Sequence, residues 1–335
     1  MKISVIASKR SFNLEDYVVR ALTNLGHDVQ FLGYNEINGK KYSEFIRMTS
    51  TRSVLIRNIS SPFWLKSIND KYKEALGKYG PELVLSLKGE SVLPETLNYI
   101  NKNMGIKTAI WFPDDPRFFN SLSKRVAPLY DFVFSYSQNG VENYRNIGVE
   151  NAQRMSFGCD PLIHKRTKWI PPEVNRAVFV GTFTVKRYRI ISKLIRNGIK
   201  IDIFGKYWRK FLPDNVVSEG VYGESLAEMF KKYKVSLNIH NDSFYGPNMR
   251  TFEVTGSGGT LITDKAEDTD SFFMDGKEAY FYQDIGELVK LINEKLSEDN
   301  DAIIELQKRA YEKSHKSYTY TEIMKNFLKV VHSEH

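Results

Sequence analysis

A strand-then-helix alternation runs through this chain twice, and it constrains the fold more than any other feature. Short apolar runs rich in β-branched residues, such as 2–7 and 107–112, precede stretches whose apolar residues recur at helical spacing, as in 15–25. Alternating strands and helices build a parallel sheet with helices on its faces. The chain is therefore predicted to be an α/β protein.

The alternation is interrupted at residues 160–176, where two adjacent prolines and a basic cluster predict a linker. The chain has 335 residues, which is more than one hydrophobic core usually supports. We therefore predict two doubly wound β/α domains facing each other across a cleft, an N-terminal one at 1–165 and a C-terminal one at 175–315. Residues 316–335 are predicted to form an amphipathic helix.

Composition narrows the classes of function. The chain is 41% hydrophobic and carries a net charge of +8 at pH 7, which argues against disorder and suits an anionic partner such as a nucleotide, nucleic acid, acidic glycan or membrane face. The single cysteine, Cys159, cannot form an intramolecular disulfide, and the six histidines lack metal-ligand spacing, so no metal site is predicted. Without a membrane-length apolar stretch or a recognisable signal peptide, the cytoplasm is the expected compartment.

The position of the functional residues follows from the fold class. Ligands of doubly wound sheets bind beyond the carboxyl ends of the strands. Functional residues are therefore expected around Glu253 and in the loops that follow five strand ends, at residues 7, 87, 112, 180 and 241. The loop after the first strand contains no glycine, which argues against a dinucleotide fingerprint or a P-loop.

Two consecutive carboxylates, Asp114 and Asp115, follow one of these strands in the sequence WFPDDPRFF. Aspartate and proline are common in turns, so a structural role is one interpretation. The other is a general base or a ligand of sugar hydroxyl groups, with the neighbouring aromatic residues packed on the sugar. The residues alone leave both open.

A small-residue turn at Gly181 and Thr182 leads into a helix start that carries Lys186, Arg187 and Arg189. The N–H groups of a helix N-terminus together with nearby cations form an anion site. A solvated basic face is the alternative.

Residues 238–264 contain the most candidate functional residues of any stretch. In it, Asn248, Arg250 and Thr251 precede Glu253. A carboxylate near a helix start can simply complement the helix dipole, but it is also the group that binds a ribose diol. Asn248 and Arg250 are candidate ligands of a diphosphate. The three glycines that follow, at positions 256, 258 and 259, are predicted to allow close packing of a helix on a strand.

The order and spacing of these stretches resemble the glycosyltransferases of GT-B architecture, and in particular the CgeB-like (spore maturation protein) branch with its group-1-like C-terminal domain. The matching stretches run nearly from end to end and are RALTNLGHDVQFL, PELVLSLKGESVLPETL, TAIWFPDDP, YDFVFSYSQNGVENYRNIGV, MSFGCDPLIH, FVGTFTVKRYRIISKL, IDIFGKYW, VSLNIHND and MRTFEVTGSGGTLITD. The resemblance implies two Rossmann-like β/α/β domains, with a nucleotide-sugar held mainly by the second and an acceptor held by the first. It also implies that the helix at 316–335 crosses back to the first domain.

Individual residues match this family in part. Glu253 matches the second carboxylate of an E-x7-E motif, which contacts the ribose, whereas the first carboxylate falls at Tyr245. Arg187 stands at the position of a lysine that holds the diphosphate, and Thr182 stands where relatives carry an arginine. Tyr222 lies in the segment whose loop usually lies against the nucleotide base.

The resemblance implies a chemistry as well. Sugar transfer passes through an oxocarbenium-like state as the nucleotide diphosphate leaves, and preorganised donors must stabilise that leaving group. We expect a retaining, metal-independent glycosyltransferase that needs no further cofactor and uses a nucleotide-diphosphate sugar, with a UDP-sugar as first choice. The predicted catalytic residues are Asp114, Asp115, Arg187 and Arg250. The predicted donor-binding residues are Gly181, Thr182, Arg187, Tyr222, Asn248, Arg250, Thr251 and Glu253.

The acceptor is expected to be a glycan, a protein or a small molecule. The alternative function is a non-catalytic GT-B module that binds a glycan or partner with a decayed donor site. No motif for specific nucleic-acid binding is present. A basic first domain is compatible with peripheral contact to an anionic membrane. The oligomeric state stays open.

Overall fold

The computed structural model describes residues 1–37, 62–241 and 246–333. The chain divides into two compact units, a first unit comprising Met1–Ser156 and Ile323–His335 and a second unit comprising Phe157–Glu322. Each unit contains one six-stranded parallel sheet with helices between its strands. The predicted α/β class with two Rossmann-like domains is confirmed. No helix in the described ranges has the length and apolar character needed to cross a membrane.

The first sheet has the strand order β2-β1-β3-β4-β5-β6. Its strands are β1 (Lys2–Ala7), β2 (Asp28–Gly33), β3 (Leu83–Leu87), β4 (Lys107–Phe112), β5 (Phe132–Ser135) and β6 (Gln153–Arg154). Every residue of β3 is buried, as expected of a central parallel strand covered by helices on both faces.

The helices of the first unit cover this sheet. They are α1 (Leu14–Asn24), α2 (Tyr34–Ile37), α3 (Pro62–Tyr79), α4 (Pro94–Lys102), the single turn α5 (Lys124–Val126) and α6 (Gln138–Arg145), with a π-helical turn at Phe119–Ser123 and a 3-10 turn at Ala127–Leu129. The sequence predicts helix throughout 40–78. Helix α3 confirms its second part, and residues 40–61 lie outside the described ranges.

The second sheet has the strand order β12-β11-β10-β7-β8-β9. Its strands are β7 (Val174–Val180), β8 (Ile201–Phe204), β9 (Val217–Ser218), β10 (Tyr233–Asn238), β11 (Leu261–Asp264) and β12 (Tyr280–Tyr282). Its helices, together with the helix that ends the chain, are α7 (Val185–Arg196), α8 (Gly223–Lys232), α9 (Met249–Gly256), α10 (Thr269–Phe272), α11 (Ile285–Ser297), α12 (Asn300–Ser317) and α13 (Tyr320–Ser333), and a 3-10 turn forms at Trp208–Lys210.

Several strand limits differ from the sequence prediction. Strand β7 begins at Val174, inside the predicted linker. The sequence predicts a strand over 200–208. Strand β8 ends at Phe204 because Trp208 enters the 3-10 turn and donates its indole N–H to the carbonyl of Gly181 at 2.7 Å. The short strand β9 is not predicted, since two residues carry no periodic signal.

Each sheet has one point at which the strand order reverses, between β1 and β3 in the first unit and between β7 and β10 in the second. Helices that leave the two strands at such a point run to opposite faces of the sheet, and a crevice opens beyond the carboxyl ends. These two switch points are the places where the fold itself favours a ligand.

Candidate functional site

The switch point of the second unit begins at the turn between β7 and α7. The hydroxyl oxygen of Thr184 accepts a hydrogen bond from the backbone N–H of Arg187 at 3.3 Å and so caps α7. Gly181 has no room for a side chain, because a Cβ atom there would lie 2.9 Å from the ring of Phe179. The other N–H groups of the first helical turn form the kind of end that binds an anion.

Arg187 joins the two strands that flank this switch point. Its Nε donates to the carbonyl of Ile239 at 2.9 Å, just beyond β10, and its Nη1 donates to the carbonyl of Thr182 at 3.0 Å. Burial, and next the charge of Arg250, lower the pKa of Arg187 to about 10, so the guanidinium remains positive at neutral pH. Among the residues that the structure describes, its other N–H groups have no hydrogen-bond partner, which leaves them available to an anionic ligand.

His240, Asp264 and Lys186 form a polar cluster beside Arg187. The Asp264 carboxylate accepts from the backbone N–H of His240 at 2.9 Å and lies 2.6 Å from its Nδ1. Burial acts to raise the pKa of Asp264, but its hydrogen bonds with His240, aided by Lys186, lower it to about 2. The Nε2 atom of His240 accepts from the backbone N–H of Asn248 at 3.3 Å, which places the ring proton on Nδ1. The sequence does not single out His240, which lies next to the predicted strand end at residue 241.

Asn248 and Thr251, both predicted to bind the donor, have side chains used inside the fold. Asn248 caps α9 by accepting from the N–H of Thr251 at 3.3 Å and exchanges amide hydrogen bonds with Asn238. Thr251 is fully buried, and its hydroxyl accepts from Asn238 at 3.2 Å. These two side chains fix the start of α9 against the end of β10. Tyr245 lies outside the described residues.

Glu253 lies on the second turn of α9, one turn later than the sequence suggests. Its carboxylate is 2% exposed and accepts from Arg250 Nη1 at 2.5 Å. Burial raises the pKa of Glu253, and the Arg250 charge opposes that rise. The Arg250 side chain is 20% exposed and lies over the Phe230 ring. A ribose diol would therefore reach Glu253 only if Arg250 moved.

The glycines after Glu253 lie where chain segments pack closely, as predicted. A Cβ atom at Gly256 would lie 2.5 Å from that of Cys159, and one at Gly259 would lie 2.9 Å from the carbonyl of Phe230. Gly258 has φ +74° and abuts Arg166. The three glycines therefore serve close packing and do not form a ligand site.

Tyr222 precedes the first residue of α8 and makes no capping hydrogen bond there. Its side chain is 55% exposed. The ring therefore offers an aromatic face on which a nucleotide base can stack.

The paired aspartates of the first unit have different environments. Asp115 is 3% exposed and accepts from the hydroxyl of Ser123 at 2.8 Å and from that of Tyr144. Burial raises its pKa to about 6, although these hydrogen bonds oppose the rise. Asp114 is partly exposed and forms an ion pair with Lys88 at 2.5 Å. Asp114 is placed to meet a ligand, whereas the carboxylate of Asp115 is occupied within the core.

We expect Asp115→Asn to lower the free energy of unfolding by about 1–3 kcal/mol at pH 5, because an amide nitrogen cannot accept one of these two hydrogen bonds. A carboxyl whose folded pKa is raised favours the folded state less as pH rises from about 4 to about 6. The deficit of the variant should therefore shrink across that window. Urea unfolding at several pH values measures it, with Asp114→Asn as the control. A deficit independent of pH would contradict the buried assignment.

Comparison with known proteins agrees with this geometry. Residues 186–329 match the family model described as glycosyl transferase-like. The spore protein CgeB of Bacillus subtilis (strain 168) is 21% identical over 184 residues, which cover 52% of this chain and 57% of that protein. The match thus spans little more than half the length of this curated relative.

Solved structures resemble the whole fold. A sucrose-phosphate synthase from Thermosynechococcus elongatus superposes with a TM-score of 0.73 at 11% identity, covering 99% of this chain and 98% of that one. Anabaena Alr3699/HepE, in complex with UDP and glucose, gives a TM-score of 0.69 at 11% identity over 99% and 100% of the two chains. Together with the family model, these findings confirm the resemblance to CgeB-like glycosyltransferases of GT-B architecture.

Proposed function

We propose that this protein transfers a sugar from a nucleotide-diphosphate sugar to an acceptor. The observation that carries the proposal is Arg187, a cation fixed by two backbone carbonyls at a helix N-terminus and at the switch point of the second sheet. This arrangement suits a diphosphate, because fixed N–H dipoles and a guanidinium both favour negative charge. The domain at 175–315 is proposed to bind the donor, and the domain at 1–165 the acceptor.

In the proposed reaction the bond from the anomeric carbon to the diphosphate breaks, and the diphosphate keeps the electron pair. The acceptor oxygen bonds to the anomeric carbon on the same face, so the configuration is retained, and its proton passes to the departing phosphate oxygen. Arg187 and the first turn of α7 stabilise the charge on the leaving group. These groups supply the stabilisation that a divalent cation would otherwise provide, so we propose that no metal is needed.

UDP is the proposed nucleotide. The fold is similar to that of Alr3699/HepE, which has been solved in complex with UDP-glucose. Tyr222 offers a stacking face for the uracil, and Glu253 a carboxylate for the ribose once Arg250 has moved toward the diphosphate.

A second candidate is a non-catalytic module with a decayed donor site. It is favoured by the Arg250–Glu253 ion pair, which occupies the proposed ribose ligand, and by Thr182 and Tyr245 at positions where the resemblance implies charged side chains. In this reading the chain binds a glycan or protein partner and turns over no nucleotide-sugar.

Thermal-shift measurements with UDP, GDP, ADP, CDP and their sugar derivatives test the proposal. A ligand at 100 times its dissociation constant should stabilise the fold by about 2.7 kcal/mol, and we expect UDP to give the largest shift. Release of UDP from a stabilising donor, unaffected by a chelator, would support metal-independent transfer. If nothing in the panel shifts the melting temperature, the proposal fails. If a donor binds but is never turned over, the non-catalytic module is the better account.

A further inference from the structure

The switch point of the first unit carries a polar cluster that the sequence-based site includes only through Asp114. The cluster lies beyond the carboxyl ends of four neighbouring strands, β2, β1, β3 and β4. Its members are Ser8, Glu15, Tyr34, Lys88, Glu90 and Asp114. Their location is the one that the fold favours for a ligand of this sheet.

The cluster is connected by short polar contacts. The hydroxyl of Ser8 donates to Oε1 of Glu15 at 2.8 Å, and the hydroxyl of Tyr34 donates to Oε1 of Glu90 at 2.7 Å. Lys88 connects the carboxylates of the cluster. Its ammonium group pairs with Asp114 and interacts electrostatically with both Glu90 and Glu15.

Glu15 has an unsatisfied oxygen inside this cluster. Its side chain is buried, with 2% exposure, and Oε2 has no hydrogen-bond partner among the residues that the structure describes. A buried carboxylate oxygen without a donor is costly. The neighbouring Ser8 hydroxyl already donates to the other oxygen of this carboxylate, so a ligand that brings an O–H group would remove that cost.

The backbone at Lys88 is strained in the same place. Lys88 has φ +73°, a conformation that side-chain-bearing residues rarely adopt, and Gly89 follows with φ +71°. Such residues concentrate at functional sites, where the surrounding structure maintains the strain. Gly89 cannot be replaced easily, because a Cβ atom there would lie 2.6 Å from Cδ1 of Ile110. The turn directs both Lys88 and Glu90 into the cluster.

The charges of the cluster indicate whether its ligand is charged or neutral. Three carboxylates (Glu15, Glu90 and Asp114) face one ammonium group, and Arg10 adds a second cation near Tyr34. An anionic ligand would meet three carboxylates against two cations, and one of those cations, Lys88, already pairs with Asp114, so the net negative charge disfavours it. Carboxylate oxygens accept hydrogen bonds from hydroxyl groups, and Lys88 can donate to a hydroxyl oxygen.

We propose that this cluster binds the hydroxyl groups of an uncharged saccharide and that it is the subsite for the acceptor. The proposal rests on the proposed function for the identity of the acceptor, but the binding itself does not. Glu15 Oε2 and Glu90 accept from ligand hydroxyls, and Lys88 donates to one. Phe12, exposed in the loop between β1 and α1, is an aromatic surface on the same edge of the sheet.

Saturation-transfer NMR with the methyl glycosides of glucose, galactose and mannose, and with the corresponding hexose 6-phosphates, tests the proposal. At least one uncharged glycoside should bind the wild type, and its 6-phosphate counterpart should not. Glu15→Gln and Glu90→Gln should weaken that binding by about tenfold or more, as expected for a lost hydrogen bond to a charged group. Glu95→Gln, an exposed change at the start of α4, is the matched control and should have no effect.

Binding of a 6-phosphate as tight as that of the uncharged glycoside would overturn the proposal. So would the absence of any glycoside binding, or unchanged binding by the Glu15 and Glu90 variants. Thermal melts identify a variant that fails to fold. In that case glycoside binding is measured on Asp114→Asn instead, a change at a partly exposed position of the same cluster. Parallel titration with UDP distinguishes failure of this subsite from failure of the proposed function. UDP binding without glycoside binding rejects this subsite alone, whereas absence of UDP binding rejects the proposed function.

Discussion

Replacing Arg187 with methionine is expected to lower kcat/KM for the nucleotide-sugar by about 100- to 1,000-fold, the usual effect of removing one preorganised donor to a developing charge. Methionine fills similar space without the charge. Because Arg187 also bonds to the carbonyls of Ile239 and Thr182, the free energy of unfolding should fall by about 1–3 kcal/mol as well. Steady-state kinetics below the melting temperature of the variant separate the two effects.

Two further variants show whether the effect belongs to the position or to charge in general. Arg189→Met removes an exposed charge from the same helix and should change kcat/KM by less than about threefold, since exposed charges contribute little. Arg187→Lys keeps the charge but cannot reach both carbonyls at once, so an intermediate loss is expected. Equal losses for Arg187→Met and Arg189→Met would show that the turn after β7 does not hold the diphosphate.

The second large effect concerns the ion pair in α9. Arg250→Met should lower the free energy of unfolding by about 3–5 kcal/mol, because it leaves the Glu253 carboxylate buried without its partner. The double variant Arg250→Met/Glu253→Gln removes both charges and should recover most of that loss. Chemical unfolding of the wild type, the two single variants and the double variant completes the cycle.

The loss of unfolding free energy in Arg250→Met should also depend on pH in a defined direction. Burial raises the pKa of Glu253, and removal of the Arg250 charge takes away the influence that opposes the rise. A carboxyl with a raised folded pKa destabilises the fold as pH rises above its unfolded value, so the deficit should be largest at neutral pH and should shrink in acid. A deficit below about 1 kcal/mol, or one that is the same at all pH values, would contradict the buried ion pair.

Much of the fold is predictable because its signal is local. Buried parallel strands are short apolar runs in the sequence, and the predicted strands at 2–7 and 107–112 have the limits of β1 and β4. The rule that ligands bind beyond the carboxyl ends of strands predicts functional residues in the loops after residues 87 and 180, and these loops begin at the two switch points. The strand β9 has two residues and is missed, since it is too short to show a period.

The roles of individual side chains are not predictable in the same way, because they depend on contacts between residues far apart in sequence. Asp115 is occupied by Tyr144, 29 positions later, and Arg187 is fixed by a carbonyl 52 positions later. Neither partner can be read from a motif. Glu90 is similar, since Tyr34, 56 positions earlier, orients it. A sequence identifies which loops converge, and tertiary packing decides which side chains in those loops remain available.

A crystal structure of the protein with UDP tests the central claim most directly. We expect the diphosphate at the turn between β7 and α7, within hydrogen-bonding distance of Arg187. The uracil should lie against Tyr222, and Arg250 should have moved away from Glu253. UDP bound outside the β7/β10 switch point, or a diphosphate with no contact to Arg187, would contradict it.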